Sequence, residues 1–377
     1  MIEFRDIEKR YDDSEPAVSG LNLRIPDGRI TVFVGPSGCG KTTSLRMINR
    51  MVDPTSGTIE VDGRDVSRVP PHELRRSMGY VMQQGGLLPH RTVADNVATV
   101  PRLLGAGKAE ARGRAAGLLE RVGLDPALAG RYPAQLSGGQ QQRVGVARAL
   151  AADPPILLMD EPFSAVDPVV RSELQRELLR LQDELSKTIV FVTHDIDEAV
   201  LLGDQVAVFG AGGVLHQFSP PAELLSAPAN DFVARFVGRD RGFRALSFQP
   251  ASRIALRPTS AYDAAALASA PRFASDGSLR AALDAVLASP DGVAVATGPG
   301  GHDVGTADAT DVMAALAAVR GEDGAGRVGP VPAPDGDPGS DGDPGSDGDP
   351  GSAAAEASVG GPAGRRAPGG GVADGVA

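Results

Sequence analysis

Four short runs in this chain are apolar at nearly every position: "ITVFV" (30–34), "PILLMD" (155–160), "TIVFVT" (188–193) and "QVAVF" (205–209). A strand with one wet face alternates apolar and polar residues. A strand that reads almost continuously apolar is covered on both faces, which in practice means helices above and below. "GYVM" (79–82) is a shorter run of the same kind, and longer helical stretches lie between them. One of these, "DPVVRSELQRELLRLQDEL" from Asp167, carries Leu174, Leu178, Leu181 and Leu185 as a single apolar stripe. We read that stripe as core rather than as a partner-binding face, since such stripes are the usual signal of helix packing. From residue 1 to about Gly238 the alternation predicts an α/β domain with a mainly parallel sheet.

The run at 30–34 opens directly onto Gly35-Pro36-Ser37-Gly38-Cys39-Gly40-Lys41-Thr42-Thr43, and a helical "TSLRMINRM" follows. The first eight of these residues fit G-x-x-x-x-G-K-[ST] in a strand–loop–helix setting, which sets them apart from an ordinary Gly-rich turn. Glycines let a backbone wrap a polyphosphate and aim successive N–H groups at it. The helix start behind the loop adds a positive dipole end. Lys41 can bridge terminal phosphates, and Thr42 can offer its hydroxyl to Mg²⁺. Such a loop needs an acid on a neighbouring strand. "ILLMDEP" delivers Asp160 and Glu161 at a strand's carboxyl end, the edge at which open α/β sheets bind ligands. Asp160 suits Mg²⁺, usually through water. Glu161 can polarise a water against a γ-phosphate, its alternative being a solvated strand-end acid.

Composition narrows the setting. The 377 residues suffice for two ordinary domains or for one with a large appendage. The first ten, "MIEFRDIEKR", lack the basic-then-apolar order of a secretory signal, and no apolar run is long enough to span a bilayer. A single cysteine, Cys39, cannot form an internal disulfide, so a reducing cytosol is the simplest compartment. We assign it no redox role. A formal net charge of −11 argues against general nucleic-acid binding, which needs a basic face. It leaves room for docking on a membrane protein through a local patch.

"LSGGQQQRVGVARAL" (136–150) brings a family into view. The chain resembles the ATP-binding cassette (ABC) family, whose signature motif "LSGGQ" (136–140) matches residue for residue. The resemblance covers residues 1 to about 238. It implies a P-loop NTPase cassette: a RecA-like core with a mainly parallel sheet, a β-subdomain and a helical subdomain. Ser137, Gly138, Gly139 and Gln140 would complete the ATP site of a second subunit, so that a homodimer sandwiches two ATP molecules head to tail. Tyr11 stands where an aromatic stacks on adenine, although a loop aromatic can also pack locally. Gln83 matches the Q-loop glutamine, which touches Mg²⁺ and the γ-phosphate; Gln84 competes for that role, and alignment on "GYVMQ" favours Gln83. "SAVD" (164–167) matches the D-loop, placing Asp167 by the nucleotide. His194 matches the switch histidine, with a structural histidine capping the strand–helix junction as its alternative. The resemblance thus implies Glu161, His194 and Gln83 as catalytic residues, Thr42, Gln83 and Asp160 as the Mg²⁺ set, and ATP as the nucleotide.

One cassette without a membrane span implies a separate ATPase subunit. It would be peripheral on the cytoplasmic face of the cell membrane, beneath transmembrane permease subunits and coupled through them to an extracytoplasmic substrate-binding protein. The space between "YVMQQ" and "LSGGQ" holds only a small helical subdomain, unlike repair ATPases, and translation-factor types carry two cassettes. "MINR" (47–50) and "QQGGLLPH" (83–90) look most like the ATPase subunits of glycine betaine/carnitine/choline/proline importers. Motion would then pass to the permease near Leu87–His90. An importer of amino acids, sugars or ions, and a non-transport ABC ATPase, remain as alternatives. "FSAVDP" (163–168) replaces that group's usual "FGALDP". Residues 239–320 hold a stretch resembling one degenerate CBS module, where the group commonly has two. Within it "DGSLRAALDAVLASPDGVAVATG" (276–298) predicts a capped helix and a short strand. Residues 321–377 have no Leu, Ile, Met or aromatic residue and repeat "DGDPGS" three times, which predicts a disordered tail.

Overall fold

The structure is a computed structural model that describes residues 1–324 apart from 13–14, 84–85 and 165. The expected tail lies outside the described residues from 325 onward; a helix, Ala309–Gly324, carries the fold up to that point.

The first sheet is antiparallel, with order β2-β1-β4-β5. Its strands are β1 (Ile2–Lys9), β2 (Val18–Ile25), β4 (Ser56–Val61) and β5 (Arg64–Asp65). Phe4 pairs with Leu23 on one side and Ile59 on the other, a buried apolar row across the sheet.

The second sheet has six strands, ordered β10-β9-β3-β8-β7-β6. These are β3 (Ile30–Val34), β6 (Met78–Val81), β7 (Ile156–Asp160), β8 (Thr188–Val192), β9 (Gln205–Phe209) and β10 (Leu215–Ser219). All neighbours are parallel except β9 and β10. The continuous apolar reading has its cause here. Val32, Leu157, Met159, Phe191 and Val208 face one core, with the helices Gly138–Leu150 and Pro168–Leu185. The alternate residues Phe33, Leu158, Val190 and Phe209 face a second core, with the helix Lys41–Ile48 and the antiparallel sheet. Leu174, Leu178 and Leu181 are buried in the first core and Leu185 packs against it, so the stripe is core.

Between β6 and β7 lies a helical region, Val93–Val97, Thr99–Leu103 and Lys108–Arg121. The last of these turns Ala111, Ala115 and Leu119 inward. Among the described residues, no helix is long and apolar enough to cross a membrane.

A small third sheet precedes the helix Ala309–Gly324: β11 (Arg272–Ala274), β12 (Val293–Thr297) and β13 (Asp303–Asp308), with β12 central. The expected capped helix is Leu279–Ala288, where Ser278 Oγ accepts from the Ala281 amide at 3.2 Å. It shares a separate core with Leu246, Phe273 and Ala294.

Candidate active site

The carboxyl ends of β3, β6, β7 and β8 gather most of the expected residues on one edge of the six-stranded sheet. After β3 the loop Gly35–Gly40 turns into the helix Lys41–Ile48 through Gly40, at φ +95°. A Cβ on Gly40 would stand 2.3 Å from the Ala17 carbonyl oxygen, so both backbone angle and space demand glycine there. Gly38 also has positive φ, +76°, but a Cβ on it would meet nothing within 4 Å. The loop is therefore open on that side, as a phosphate cradle must be. Lys41 is buried, and its ammonium donates to the Gly35 and Pro36 carbonyls at 2.8 Å each. The charge is held inside the loop with its long stem already ordered. Ser37 is exposed at the rim and Thr43 is half-buried in the first helical turn. The Cys39 thiol points into the second core, and burial pushes its pKa up. Any contact of Cys39 with a ligand would run through its backbone.

Thr42 Oγ1 donates to Asp160 Oδ1 at 2.7 Å, joining the loop to the end of β7. The other oxygen of this buried carboxylate accepts from Arg46 at 3.1 Å and from the Tyr80 hydroxyl at 3.2 Å. Burial pushes the Tyr80 phenol up to about 12, so it remains a donor across the physiological range. The motif reading missed Arg46 and Tyr80. A signal was present, because Arg46 stands one helical turn after Thr42 and Tyr80 sits on β6, the strand paired with β7.

Glu161 follows at φ +44°, a conformation uncommon for a side-chain-bearing residue, with its amide bonded to the Val192 carbonyl at 3.0 Å. The turn lifts its carboxylate off the strand line. There Oε2 accepts from Gln83 Nε2 at 3.0 Å and faces His194 Nδ1 at 3.5 Å. Three strand ends thus converge on one carboxylate. Gln84 lies outside the described residues. The junction after β8 is capped by Asp195, whose carboxylate accepts from the Asp197 amide at 2.8 Å. That leaves the His194 ring, about half exposed, turned to Glu161 rather than used as a cap.

Three groups stand apart from this cluster. Ser137 caps the helix Gly138–Leu150, accepting from the Gln140 amide at 3.3 Å while Gln140 Oε1 accepts from the Ser137 amide at 3.0 Å. Ser137 and Gly138 are exposed, and a Cβ on Gly139 would lie 2.6 Å from Val170 Cγ1. A side chain at 139 would therefore force Val170 to shift. Asp167 caps the helix Pro168–Leu185, accepting from the Val169 and Val170 amides at 3.1 Å each. Tyr11 is 46% exposed, with the Lys9 ammonium 5.0 Å from its ring centre.

The oxygen set fits Mg²⁺ in its chemistry: a hydroxyl and a carboxylate are already in contact, and Gln83, whose Nε2 is bonded to the neighbouring Glu161, carries an amide oxygen as a further donor. Among the described residues, no group of three or more His, Cys, Asp or Glu side chains could hold a metal unaided. Such sparse oxygen donors suit an ion that keeps its waters and takes the rest of its shell from phosphate.

Comparison with known proteins decides the lineage. The ABC transporter family profile matches residues 18–164. The glycine betaine uptake system ATP-binding protein of Escherichia coli is 50% identical over 250 residues, covering 66% of this chain and 80% of that protein. The chain belongs to the ABC transporter family. Among other ABC relatives, the glycine betaine/carnitine/choline transport ATP-binding protein of Bacillus subtilis is 49% identical over 241 residues, 64% of this chain and 63% of its own length. The osmoprotectant import ATP-binding protein of Salmonella typhimurium is 49% identical over 251 residues, 65% of each. The ABC match thus spans somewhat under two thirds of these two relatives. A solved ATP-binding cassette, dimeric in a post-hydrolysis state with ADP and Pi, is 34% identical with a TM-score of 0.55. It covers 59% of this chain and 99% of that one. The ABC cassette is accordingly the fold of the large N-terminal part.

Proposed function

We propose that this chain is an Mg²⁺-dependent ATPase subunit that energises an importer of quaternary-amine osmoprotectants. The observation that carries the ATPase reading is the convergence of Gln83 and His194 on the Glu161 carboxylate, one residue beyond the Thr42–Asp160 contact. Lys41 and the loop amides bind the terminal phosphates of ATP, and Tyr11 lies under its base. Bound Mg²⁺, held through Thr42, Asp160 and Gln83, supplies neutralisation of the phosphate charge. Glu161 Oε2 accepts the proton of the attacking water, and Gln83 and His194 orient that carboxylate toward the γ-phosphate. Excluding bulk water strengthens each of these charge contacts.

Ser137–Gln140 supports the dimeric part of the reading, since it presents a self-capped helix start, exposed at Ser137 and Gly138, that makes no P-loop contact among the described residues of its own subunit. Asp167, at another helix start, would lie at the same subunit junction. The partners are a second copy, transmembrane permease subunits reached near Leu87–His90, and through them an extracytoplasmic substrate-binding protein. The seat of the protein is the cytoplasmic face of the cell membrane. Residues 1–238 form the cassette and 239–320 a single degenerate CBS-like module. The names of the relatives above support the osmoprotectant assignment, and loss of glycine betaine uptake on deletion of the gene tests it. Glu161→Gln tests the ATPase: shape is kept and basicity lost, so ATP still binds while steady-state hydrolysis falls by roughly 10²–10⁴-fold. Turnover at the wild-type rate would remove Glu161 from this role.

A further inference from the structure

The helix Ile196–Leu202, which begins two residues after His194, is tied on two sides. Inward, Glu198 is buried; its carboxylate accepts from Thr193 Oγ1 at 2.6 Å and from Gln175 at 3.2 Å. Thr193 immediately precedes His194, and its Oγ1 also accepts from the Asp195 amide at 3.0 Å. Outward, Asp197 takes a two-pronged contact from Arg244, with Nε at 2.6 Å and the second prong at 3.2 Å. The pair holds the Asp197 carboxyl below its usual range and the Arg244 guanidinium above its own.

Arg244 is not part of the cassette proper. It lies in the short helix Arg241–Ala245, beyond the last cassette helix Asp231–Val237, and also donates to the Val237 carbonyl at 2.7 Å. The next two residues belong to different cores. Ala245 packs against the large cassette core, whereas Leu246 is buried in the core of the C-terminal module. One residue before Arg244, Phe243 carries the Arg280 guanidinium 4.5 Å from its ring centre, and Arg280 is on the module's helix Leu279–Ala288. A continuous set of contacts therefore runs from the module through Phe243 and Arg244 to Asp197, then through Glu198 and Thr193 to the His194 turn.

We infer that Arg244 is a positioning residue through which the C-terminal module sets the place of His194. The inference rests on the ATPase reading only for its effect on turnover. The geometric part is independent, because the Arg244–Asp197 contact fixes the first turn of the helix whose other face anchors Thr193. A shift of the module relative to the cassette would move the 241–246 segment and loosen that turn.

The test is a cycle of Arg244→Ala, Asp197→Asn and the double variant in the full chain, with Arg244→Lys as a variant that keeps charge but loses the fork. Two readouts are taken: steady-state ATPase kinetics with Mg·ATP, and amide exchange of residues 194–202. Arg244→Ala is expected to lower kcat by roughly fivefold with KM for ATP within about twofold, and Arg244→Lys to fall between it and wild type. The double variant should be no worse than either single one, and amides 194–202 should exchange faster in all three variants of the cycle. Additive losses, or unchanged exchange in Arg244→Ala, would overturn the inference. A purified wild type without any ATPase activity would sink the functional reading instead, while the exchange data would still decide the role of Arg244.

Discussion

Tyr80→Phe isolates a contact that no motif names. Asp160 is 3% exposed, and its carboxylate has three donors: Thr42 at 2.7 Å, Arg46 at 3.1 Å and Tyr80 at 3.2 Å. Phenylalanine keeps the ring and leaves no cavity, so the loss is that of one O–H donor to Asp160 together with a long, 3.5 Å acceptor contact to Arg46 Nε. A hydrogen bond to a charged acceptor contributes about 1.5–3 kcal/mol, and with two donors remaining the lower end, about 1.5 kcal/mol, applies. For a domain of this size that corresponds to a fall in melting temperature of roughly 3–6 °C. The sequence contains no tryptophan, so calorimetry without nucleotide is the suitable assay. Because burial pushes the Tyr80 phenol up to about 12, it still donates at mildly alkaline pH. The difference from wild type should therefore be the same at neutral pH and at about pH 9. A melting temperature unchanged by the substitution would refute the claim that this hydroxyl sustains Asp160.

Two further outcomes follow from the same geometry. Gly40→Ala puts a Cβ 2.3 Å from the Ala17 carbonyl at φ +95° and should cost more than about 2 kcal/mol, whereas Gly38→Ala, at φ +76° in open space, should cost only about 1 kcal/mol; chemical denaturation of the two variants side by side reads the contrast. Burial raises the Glu198 pKa, so the native state keeps that proton longer than the unfolded chain. Stability then falls as pH rises from the ordinary glutamate value through the folded one, and Glu198→Gln should flatten this part of the melting-temperature profile.

The five parallel strands of the central sheet could be read because each sends alternate side chains into two different cores, which forces nearly every position to be apolar; the antiparallel edge strand β10, with its half-buried "LHQFS", is not among them. β3 and β9 match the apolar runs at both ends, while β6 starts one residue early at Met78 because the sheet register pairs it with Ile156. The antiparallel sheet gave a weaker signal. β2 buries only Val18, Leu21, Leu23 and Ile25, a broken alternation that follows its register shifts against β1. The loop and the two acids could be read since their chemistry fixes residue type and spacing, whereas His194 came from the resemblance to the family's switch histidine. Arg46 and Tyr80 left only a weak positional signal, one helical turn after Thr42 and on the strand beside β7, and Arg244 left none, because each is an ordinary polar residue whose role arises only when distant segments meet. The helix starts at Ser137 and Asp167 were legible as motifs, yet among the described residues of one subunit their side chains show only capping bonds.

The central claim is that ATP completes an interface between two copies of this chain. Sedimentation velocity of the hydrolysis-blocked Glu161→Gln variant, with and without Mg·ATP, tests it most directly. A monomer without nucleotide and a dimer with it is the expected result. Adding Ser137→Arg, which places a bulky charge at the exposed helix start, should return the ATP-bound protein to a monomer while leaving nucleotide binding at Lys41 intact. An equal dimer fraction with and without the Ser137 change, or no dimer in Mg·ATP at all, would contradict the account.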